Sequence, residues 1–325
     1  MTNPVLVNVT RGGFVESRHR GSFAISDAKG GLVSHVGDIE SPVYPRSAIK
    51  AFQCLPLIES GGADRFGLND DEICLCCSSH NGEEEHVRLA RSILGKAGVD
   101  EVCLECGAHW PSSREASHAL VRAGMKPAQV HNNCSGKHSG MLAMAQHLKV
   151  GLEGYVGAGH AVQKGVAEAL SRYCEVDLSK APMGIDGCSV PTWALPLKNL
   201  AKGFAKLSQD AAGKRIAKAV SGNPFLIAGT GGFDTRIMKA VPRLFVKYGA
   251  EAVYCGFIPH AGLGFALKID DGGKRASEVA IAQAVLELDV WTATERIAIE
   301  GFAAETQKNW RKIEVGEVTA KGLPA

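Results

Sequence analysis

Residues 5–36 read VLVNVTRGGFVESRHRGSFAISDAKGGLVSHV, a stretch that alternates short apolar runs with glycine-containing turns. Valine, phenylalanine and isoleucine favour β-strands, and glycine and aspartate favour the turns that join them. We therefore predict an antiparallel meander at this end of the chain. Its strands cover residues 5–9, 13–17, 22–26 and 32–36.

The other end of the chain carries similar strand signals. Residues 252–258 and 264–269 are apolar and β-rich, and Asp270-Asp271-Gly272-Gly273 closes the second run. A helical pattern follows over residues 277–288. The sequence thus predicts strands at both ends of the chain, in positions from which they can form one sheet.

Helical periodicity dominates between these ends. The clearest segments are residues 83–94, 112–122 and 136–148, the second with a capping box of Ser112 and Glu115. Helices that lie apart from an antiparallel sheet define the α+β class. We predict a single catalytic domain over residues 1–325, with its sheet part about 1–40 and 241–325 and its mainly helical part about 41–240.

Composition and charge restrict the binding partners and the cellular location that we expect for this protein. The chain has 325 residues, 45% of them hydrophobic, and 36 basic against 34 acidic side chains that are scattered along it. No basic tract indicates nucleic acid, and no apolar run approaches the 18 or so residues that a membrane span needs. The N-terminus lacks the pattern of an export signal, so we expect a cytoplasmic protein with no membrane partner.

The ten cysteines therefore indicate reduced thiols rather than a disulfide scaffold. Cys74 and Cys77 fall in residues 73–77, which we predict to be a buried strand, and they read as small hydrophobic residues. Cys103 and Cys106 form a C-x-x-C pair without the second pair that a four-cysteine zinc site requires.

A serine–lysine pair opens the first predicted helix. Pro45 suits a first helical turn, and Ser47 and Lys50 then lie one turn apart on the same side. A neutral lysine there can activate the serine as a nucleophile. The same S-x-x-K spacing recurs at Ser26 and Lys29, where it runs into a turn, so context and not spacing favours Ser47.

Two further lysines and one serine-containing turn could contribute to a catalytic site around Ser47 and Lys50. Lys247 lies in a K-x-G segment before the strand predicted at 252–258, and Lys268 lies on the next strand. Taken locally, each is more typical of a solvated lysine. Residues 78–82, SSHNG, follow the predicted strand 73–77 and expose Ser79, although Ser79 or Asn81 could simply cap the next helix.

Two polar, glycine-containing segments contain possible metal ligands. They are residues 131–138 and 184–191, which contain Cys134 and Cys188. Cysteine sulfur suits zinc, and His131, His138 or Asp186 could complete a tetrahedral site. Isolated cysteines and histidines are also common structural residues, so composition alone leaves both interpretations open.

Six segments together resemble the class 3 L-asparaginases, whose fold is related to that of the serine β-lactamases. They run in the same order from residue 44 to residue 272, and they are YPRSAIKAFQCLP, CCSSHNGEEEH, HNNCSGKHSGML, GIDGCSVP, FVKYGAEAVYCG and GLGFALKIDDG. The resemblance covers essentially the whole chain. It implies a serine β-lactamase-like fold, with an antiparallel sheet from both ends of the chain and a helical region inserted between them.

The resemblance also implies the chemistry. Ser47 becomes the nucleophile beside Lys50, and Ser79 pairs with Lys247, with Lys268 as the alternative. The substrate is L-asparagine, whose side-chain amide is hydrolysed to aspartate and ammonia through an acyl-enzyme.

A zinc ion, a substrate-binding pair and a homodimer follow from the same resemblance. Cys134, Lys137 and Cys188 are the implied ligands of Zn²⁺. Asp186 is then the candidate partner of the substrate α-amino group, and Arg46 supplies electrostatic support nearby.

Two alternatives remain at the level of sequence. One is a glutaminase or another serine amidohydrolase of this fold, since one methylene changes binding by only about 1–3 kcal/mol. The other is a zinc-dependent amino-acid-binding protein that keeps the fold without turnover.

Overall fold

A computed structural model describes residues 2–321. The strands are β1 (Val5–Arg11), β2 (Phe14–Asp27), β3 (Leu32–Val36), β4 (Pro42–Val43), β5 (Met183–Ile185), β6 (Pro191–Trp193), β7 (Leu195–Pro196), β8 (Phe245–Gly249), β9 (Val253–Ile258), β10 (Leu263–Ile269), β11 (Ala304–Lys308) and β12 (Glu314–Ala320). The α-helices are α1 (Lys50–Glu59), α2 (Gly62–Arg65), α3 (Asp70–Cys76), α4 (Glu84–Ala97), α5 (Arg114–Arg122), α6 (Ser135–Leu148), α7 (Ala161–Cys174), α8 (Leu197–Gln209), α9 (Ala211–Gly222), α10 (Phe225–Ala228), α11 (Phe233–Ala240), α12 (Lys274–Leu286) and α13 (Ala293–Glu300). Short 3₁₀ turns occur at Arg46–Ile49, Glu101–Cys103, Gln129–His131 and Pro259–Ala261.

The chain divides into two compact units. The sheet unit comprises Met1–Ala48, Leu195–Gln209 and Ile237–Ala325, and the helical unit comprises Ile49–Ala194 and Asp210–Arg236. The predicted single domain over residues 1–325 stays a prediction, and its residues 1 and 322–325 lie outside the described part. Helix α8, within the stretch predicted to belong to the helical part, groups with the sheet.

The sheet unit is built on an eight-stranded sheet with antiparallel pairing. Seven strands follow the order β11-β12-β1-β2-β10-β9-β8, and β3 pairs with β2. Helix α8 packs against β2, β9 and β10, while α12 packs against β1, β10 and β12. The prediction of one antiparallel sheet drawn from both ends of the chain is confirmed.

Two details of the sheet differ from the prediction. The runs predicted as separate strands at 13–17 and 22–26 form one long strand, β2, because the polar residues between them keep an extended backbone. Strands β8, β11 and β12 were not predicted. The residues of β11 are mostly polar and exposed, and those of β12 mix polar and apolar residues that are mostly half-buried, so neither strand carries the clear apolar alternation that identifies a strand.

Two helices form the centre of the helical unit. Residues 50–58 of α1 and residues 135–145 of α6 are buried, which is typical of helices surrounded by protein on all sides. Close packing of α6 on α3 depends on small residues. A Cβ atom added at Gly136 would lie 2.5 Å from the carbonyl oxygen of Leu75, and one at Gly140 would lie 2.7 Å from Cys76 Sγ.

The buried strand predicted at residues 73–77 is wrong, because Asp70–Cys76 is helix α3. The Asn69 side-chain oxygen accepts a hydrogen bond from the Glu72 backbone N–H, and the Asn69 backbone N–H donates to the Glu72 carboxylate, which is a complete capping box. Cys74 and Cys77 are buried, as expected of small hydrophobic residues. Similarly, Ser113 and not Ser112 caps α5.

No helix in residues 2–321 combines the length and apolar character that a membrane span requires.

Candidate active site

The segment that carries Ser47 lies in the sheet unit. Arg46 has φ of 51°, in the left-handed region, and the 3₁₀ turn Arg46–Ile49 continues directly into α1. A left-handed backbone at a residue with a side chain is uncommon and often marks a functional site. Ser47 itself is half-buried.

The edge strand β8 packs against this segment. A Cβ atom at Gly249 would lie 2.4 Å from the Pro45 carbonyl oxygen and 2.9 Å from the Ala48 backbone nitrogen. Only glycine permits such a close approach of two backbones. The end of β8 is therefore next to the residues that flank Ser47.

Of the two alternative lysines, Lys247 is the buried one. It lies on β8 with 0% exposure, and its Nζ donates to the Tyr248 carbonyl oxygen at 2.8 Å. The local interpretation of Lys247 as a solvated lysine is wrong. Lys268 is half-buried on β10, and its Nζ donates to the carbonyl oxygens of Glu251 and Ile269 at 2.6 and 2.5 Å. Burial lowers the pKa of Lys268.

In the helical unit, Lys50 is the first residue of α1 and is only 1% exposed. Its Nζ donates to Ser79 Oγ at 2.9 Å, to the Ser78 carbonyl oxygen, and to the Asn133 carbonyl oxygen at 3.5 Å. The resemblance paired Ser79 with Lys247, and the structure shows Ser79 Oγ accepting from Lys50, the lysine predicted beside Ser47. Lys50 follows Ser47 by three residues, and the boundary between the units falls between them.

The turn that presents Ser79 is held tightly. The Ser79 backbone donates to Ile227 O at 2.9 Å, and Asn81 O accepts from Ser113 N at 3.0 Å. Gly82 has φ of 77°, and a Cβ there would lie 2.8 Å from Pro111 Cβ. A glycine is required at this position for both reasons.

The three predicted zinc ligands lie together in the helical unit. Cys134 precedes α6, Lys137 lies in its first turn, and Cys188 lies at the tip of the β5–β6 hairpin. Lys137 Nζ is 2.9 Å from Cys188 Sγ, and all three residues are at most 4% exposed. The left-handed backbone of Ser189, with φ of 75°, helps the hairpin present the Cys188 thiol.

Electrostatics distinguishes the two thiols. A hydrogen bond from Cys188 and the positive charges of Lys50 and Lys137 hold the pKa of Cys134 well below its usual value. The bond to Cys134 and burial raise the pKa of Cys188. Burial alone would lower the pKa of Lys137, but the neighbouring sulfurs raise it. The arrangement resembles a thiolate–ammonium pair.

These residues fit a zinc ion by donor chemistry, because two sulfurs and one nitrogen form a soft donor set of the kind that zinc accepts. Residues 2–321 contain no group of three or more histidine, cysteine, aspartate or glutamate side chains arranged for a metal. The predicted set falls outside that description because its third member is a lysine.

The other candidate ligands have different surroundings. His131 Nδ1 accepts from the Ala128 backbone at 3.0 Å, and His138 Nδ1 is 2.6 Å from the Tyr155 hydroxyl oxygen. The other ring nitrogen of His138 has no hydrogen-bond partner among residues 2–321. Asp186 starts the loop between β5 and β6, with its carboxylate accepting from Gly187 N at 2.8 Å. Its charge contributes to the raised pKa of Lys137.

Sequence reasoning did not single out His80 or Asn133, although both lie in the segments quoted above. Asn133 contributes a backbone carbonyl to Lys50, and His80 hydrogen-bonds to Ser135. A histidine directly after Ser79 was the available signal. Its contacts with Asn133 and Ser135 join residues more than 50 positions apart, which local patterns do not reveal.

Comparison with known proteins gives results of unequal weight. Among curated proteins, none matches this chain. A crystal structure of Mglu in its native form matches with 14% identity and a TM-score of 0.37, over 84% of this chain and 66% of that one. A β-lactamase from Mycobacterium bovis matches with 12% identity and a TM-score of 0.27, over 87% of this chain and 95% of that one. Both scores are too low to establish a common fold.

The family match covers more of the chain. The family described as L-asparaginase II matches residues 7–320, which is nearly the whole chain and includes every candidate site residue. The protein is thus a member of the L-asparaginase II family.

Proposed function

We propose that the protein is a class 3 L-asparaginase that hydrolyses the side-chain amide of L-asparagine to L-aspartate and ammonia. The observation that carries this proposal is the buried Lys50, whose Nζ lies 2.9 Å from Ser79 Oγ and which follows Ser47 by three residues. A serine whose proton can pass to a lysine is the requirement for a serine amidohydrolase of this type.

In the proposed mechanism, Ser47 Oγ attacks the amide carbon and its proton passes to neutral Lys50. The tetrahedral intermediate collapses when a proton reaches the amide nitrogen, so that ammonia leaves and an aspartyl ester remains on Ser47. Water then attacks the ester, gives its proton to the lysine and releases aspartate. The backbone N–H of Ser47 is the proposed donor to the oxyanion.

Ser79 and Lys247 form the second proposed pair, which relays protons to and from the leaving group. The burial of Lys247, and the packing of its strand beside the residues flanking Ser47, support Lys247 over Lys268. Asp186 is proposed to bind the substrate α-amino group, and Arg46 to supply positive charge for the substrate.

Cys134, Lys137 and Cys188 are proposed to hold Zn²⁺. When bound, the ion would supply positive charge and a fixed link between α6 and the β5–β6 hairpin. Both thiols and the lysine must lose their protons to bind the zinc ion. The affinity of the protein for zinc should therefore decrease as the pH is lowered. A serine β-lactamase-like fold, a homodimer and a cytoplasmic location complete the proposal, and all three rest on the sequence.

Ammonia release from L-asparagine and L-glutamine tests the proposal. The wild-type protein is compared with Ser47→Ala and with Ser112→Ala, an exposed serine that serves as the matched control. We expect the wild type and S112A to release ammonia from asparagine, S47A to lose activity, and hydroxylamine to trap an aspartyl hydroxamate. Equal activity in S47A would refute Ser47 as nucleophile, and preference for glutamine would favour the glutaminase alternative.

A protein that binds asparagine but releases no ammonia, with zinc present, would instead support the amino-acid-binding alternative.

A further inference from the structure

The side chain of His80 is buried beside the proposed catalytic serine. His80 is 1% exposed, and both nitrogens of its ring have hydrogen-bond partners. Nε2 is 2.9 Å from Ser135 Oγ, and Nδ1 is 3.1 Å from the Gly82 backbone nitrogen. Neither partner belongs to the proposed catalytic or zinc-binding residues, and the mechanism above does not use His80.

These contacts determine the tautomer of the ring. A backbone N–H can only donate, so Nδ1 of His80 must accept from Gly82 and carries no proton. The proton is therefore on Nε2, which donates to Ser135 Oγ. A ring in this form is neutral. Burial agrees with this, because it holds the pKa of His80 well below its usual value.

Stacking fixes the plane of the ring. The His80 and His86 rings are 5.0 Å apart and nearly parallel, and the next ring in the stack, Phe225, lies 4.8 Å from His86. Two hydrogen bonds and a stacked neighbour leave the imidazole a single orientation.

The ring and the backbone of His80 connect the turn of residues 78–82 to residues 133–135. His80 N donates to Asn133 O at 3.2 Å, and the same carbonyl oxygen accepts from Lys50 Nζ at 3.5 Å. His80 is thus bound at two points to residues 133–135, one of which also contacts the lysine. The turn carrying Ser79 cannot shift relative to Lys50 without breaking these contacts.

We propose that His80 is a positioning residue, whose ring fixes the turn of residues 78–82 onto residues 133–135 and thereby holds Ser79 Oγ at Lys50 Nζ. This role rests on the proposed function of Ser79 and Lys50. His80 transfers no proton in it. Its effect is exerted entirely through the position of the Ser79 hydroxyl.

Four variants separate positioning from simple packing. His80→Phe keeps a stacked ring and removes both hydrogen bonds, while His80→Gln retains an N–H donor that can reach Ser135. Ser135→Ala removes the acceptor and leaves the ring in place. His86→Phe is the matched control, since it replaces the neighbouring buried imidazole and keeps the stack.

We expect H80F and S135A to lower kcat for asparagine roughly 10- to 100-fold, because a misplacement of about 1 Å can cost that much, with KM changed by less than about 3-fold. H80Q should recover part of the loss, and H86F should stay within about 2-fold of the wild type in kcat. Thermal unfolding of all four variants measures how much each substitution destabilises the fold. A kcat for H80F no lower than that of H86F, or an H80Q variant no better than H80F, would overturn the role.

A second measurement does not depend on turnover. ¹⁵N NMR of histidine-labelled wild-type protein should show His80 neutral with its proton on Nε2, and assignment by comparison with H80F identifies the signal. A proton on Nδ1 would contradict the geometry. Absence of amide hydrolysis by the wild type would refute the proposed function and this role with it, whereas normal turnover by H80F would refute only the role.

Discussion

Replacing Gly136 with alanine tests the packing that places Lys137 and Cys134 in the helical unit. A Cβ at Gly136 would lie 2.5 Å from the Leu75 carbonyl oxygen and 2.6 Å from Leu75 Cγ. Ordinary contact begins at 3.4 Å, so α6 and α3 would have to separate by 0.9 Å. A backbone carbonyl inside a helix cannot rotate away as a side chain can.

The magnitude follows from two opposing effects. Overpacking a buried contact costs about 1–3 kcal/mol, while alanine in a helix gains up to about 1 kcal/mol over glycine. Gly136 lies in the first turn of α6, where the gain is smallest. We expect G136A to lower the free energy of unfolding by about 1–2 kcal/mol.

Gly95 provides the matched control. It is also helical, within α4, and an added Cβ there would have no atom within 4 Å. G95A should therefore stabilise the protein by about 0.5–1 kcal/mol. Urea unfolding followed by circular dichroism compares the two variants with the wild type. A G136A protein as stable as the wild type would refute the packing argument.

Three further predictions concern thiols and ionised groups. Cys188→Ser should abolish stoichiometric zinc binding measured by mass spectrometry of the metal content, whereas Cys103→Ser should keep it; equal zinc in both variants would contradict the proposed ligand set. Cys103 is half-buried and the other nine cysteines are buried, so native protein should show one fast-reacting thiol that C103S removes, and a second fast thiol would be contrary to the structure. Arg243 lowers the pKa of Glu295 to about 2 from 4.5, so the ionised carboxylate stabilises the fold above about pH 4.5 and loses this effect as pH falls toward 2. The melting temperature of Glu295→Gln should accordingly lie below that of the wild type at pH 7, with a gap that narrows below pH 4.5; a constant gap would argue against the ion pair as its cause.

Several sequence predictions failed for identifiable physical reasons. The run at residues 73–77 is apolar throughout, and such a run fits a buried helix as well as a buried strand. The capping box of Asn69 and Glu72 was the signal that favoured the helix α3. Lys247 was misread as solvated because local sequence does not reveal its complete burial on β8.

The sequence by itself determined the antiparallel sheet from both ends of the chain, the helices between them, and the six segments that identify the family. These are properties of local periodicity, turn residues and residue order, which do not require knowledge of distant contacts. The resemblance carried by those six segments implies Ser47, Lys50, Ser79, Cys134, Lys137 and Cys188 as the candidate site residues.

Only the tertiary structure decided which of these residues meet. Lys50 reaches Ser79 across 29 residues and Lys137 reaches Cys188 across 51, contacts that no local pattern contains. The contact between Lys50 and Ser79 forms because α1, α3 and α6 pack closely enough to bring the ends of different helices together, which the small side chains on α6 permit. The neutral tautomer of His80 is decided in the same way, since a backbone N–H two residues ahead and a hydroxyl 55 residues away together assign its proton.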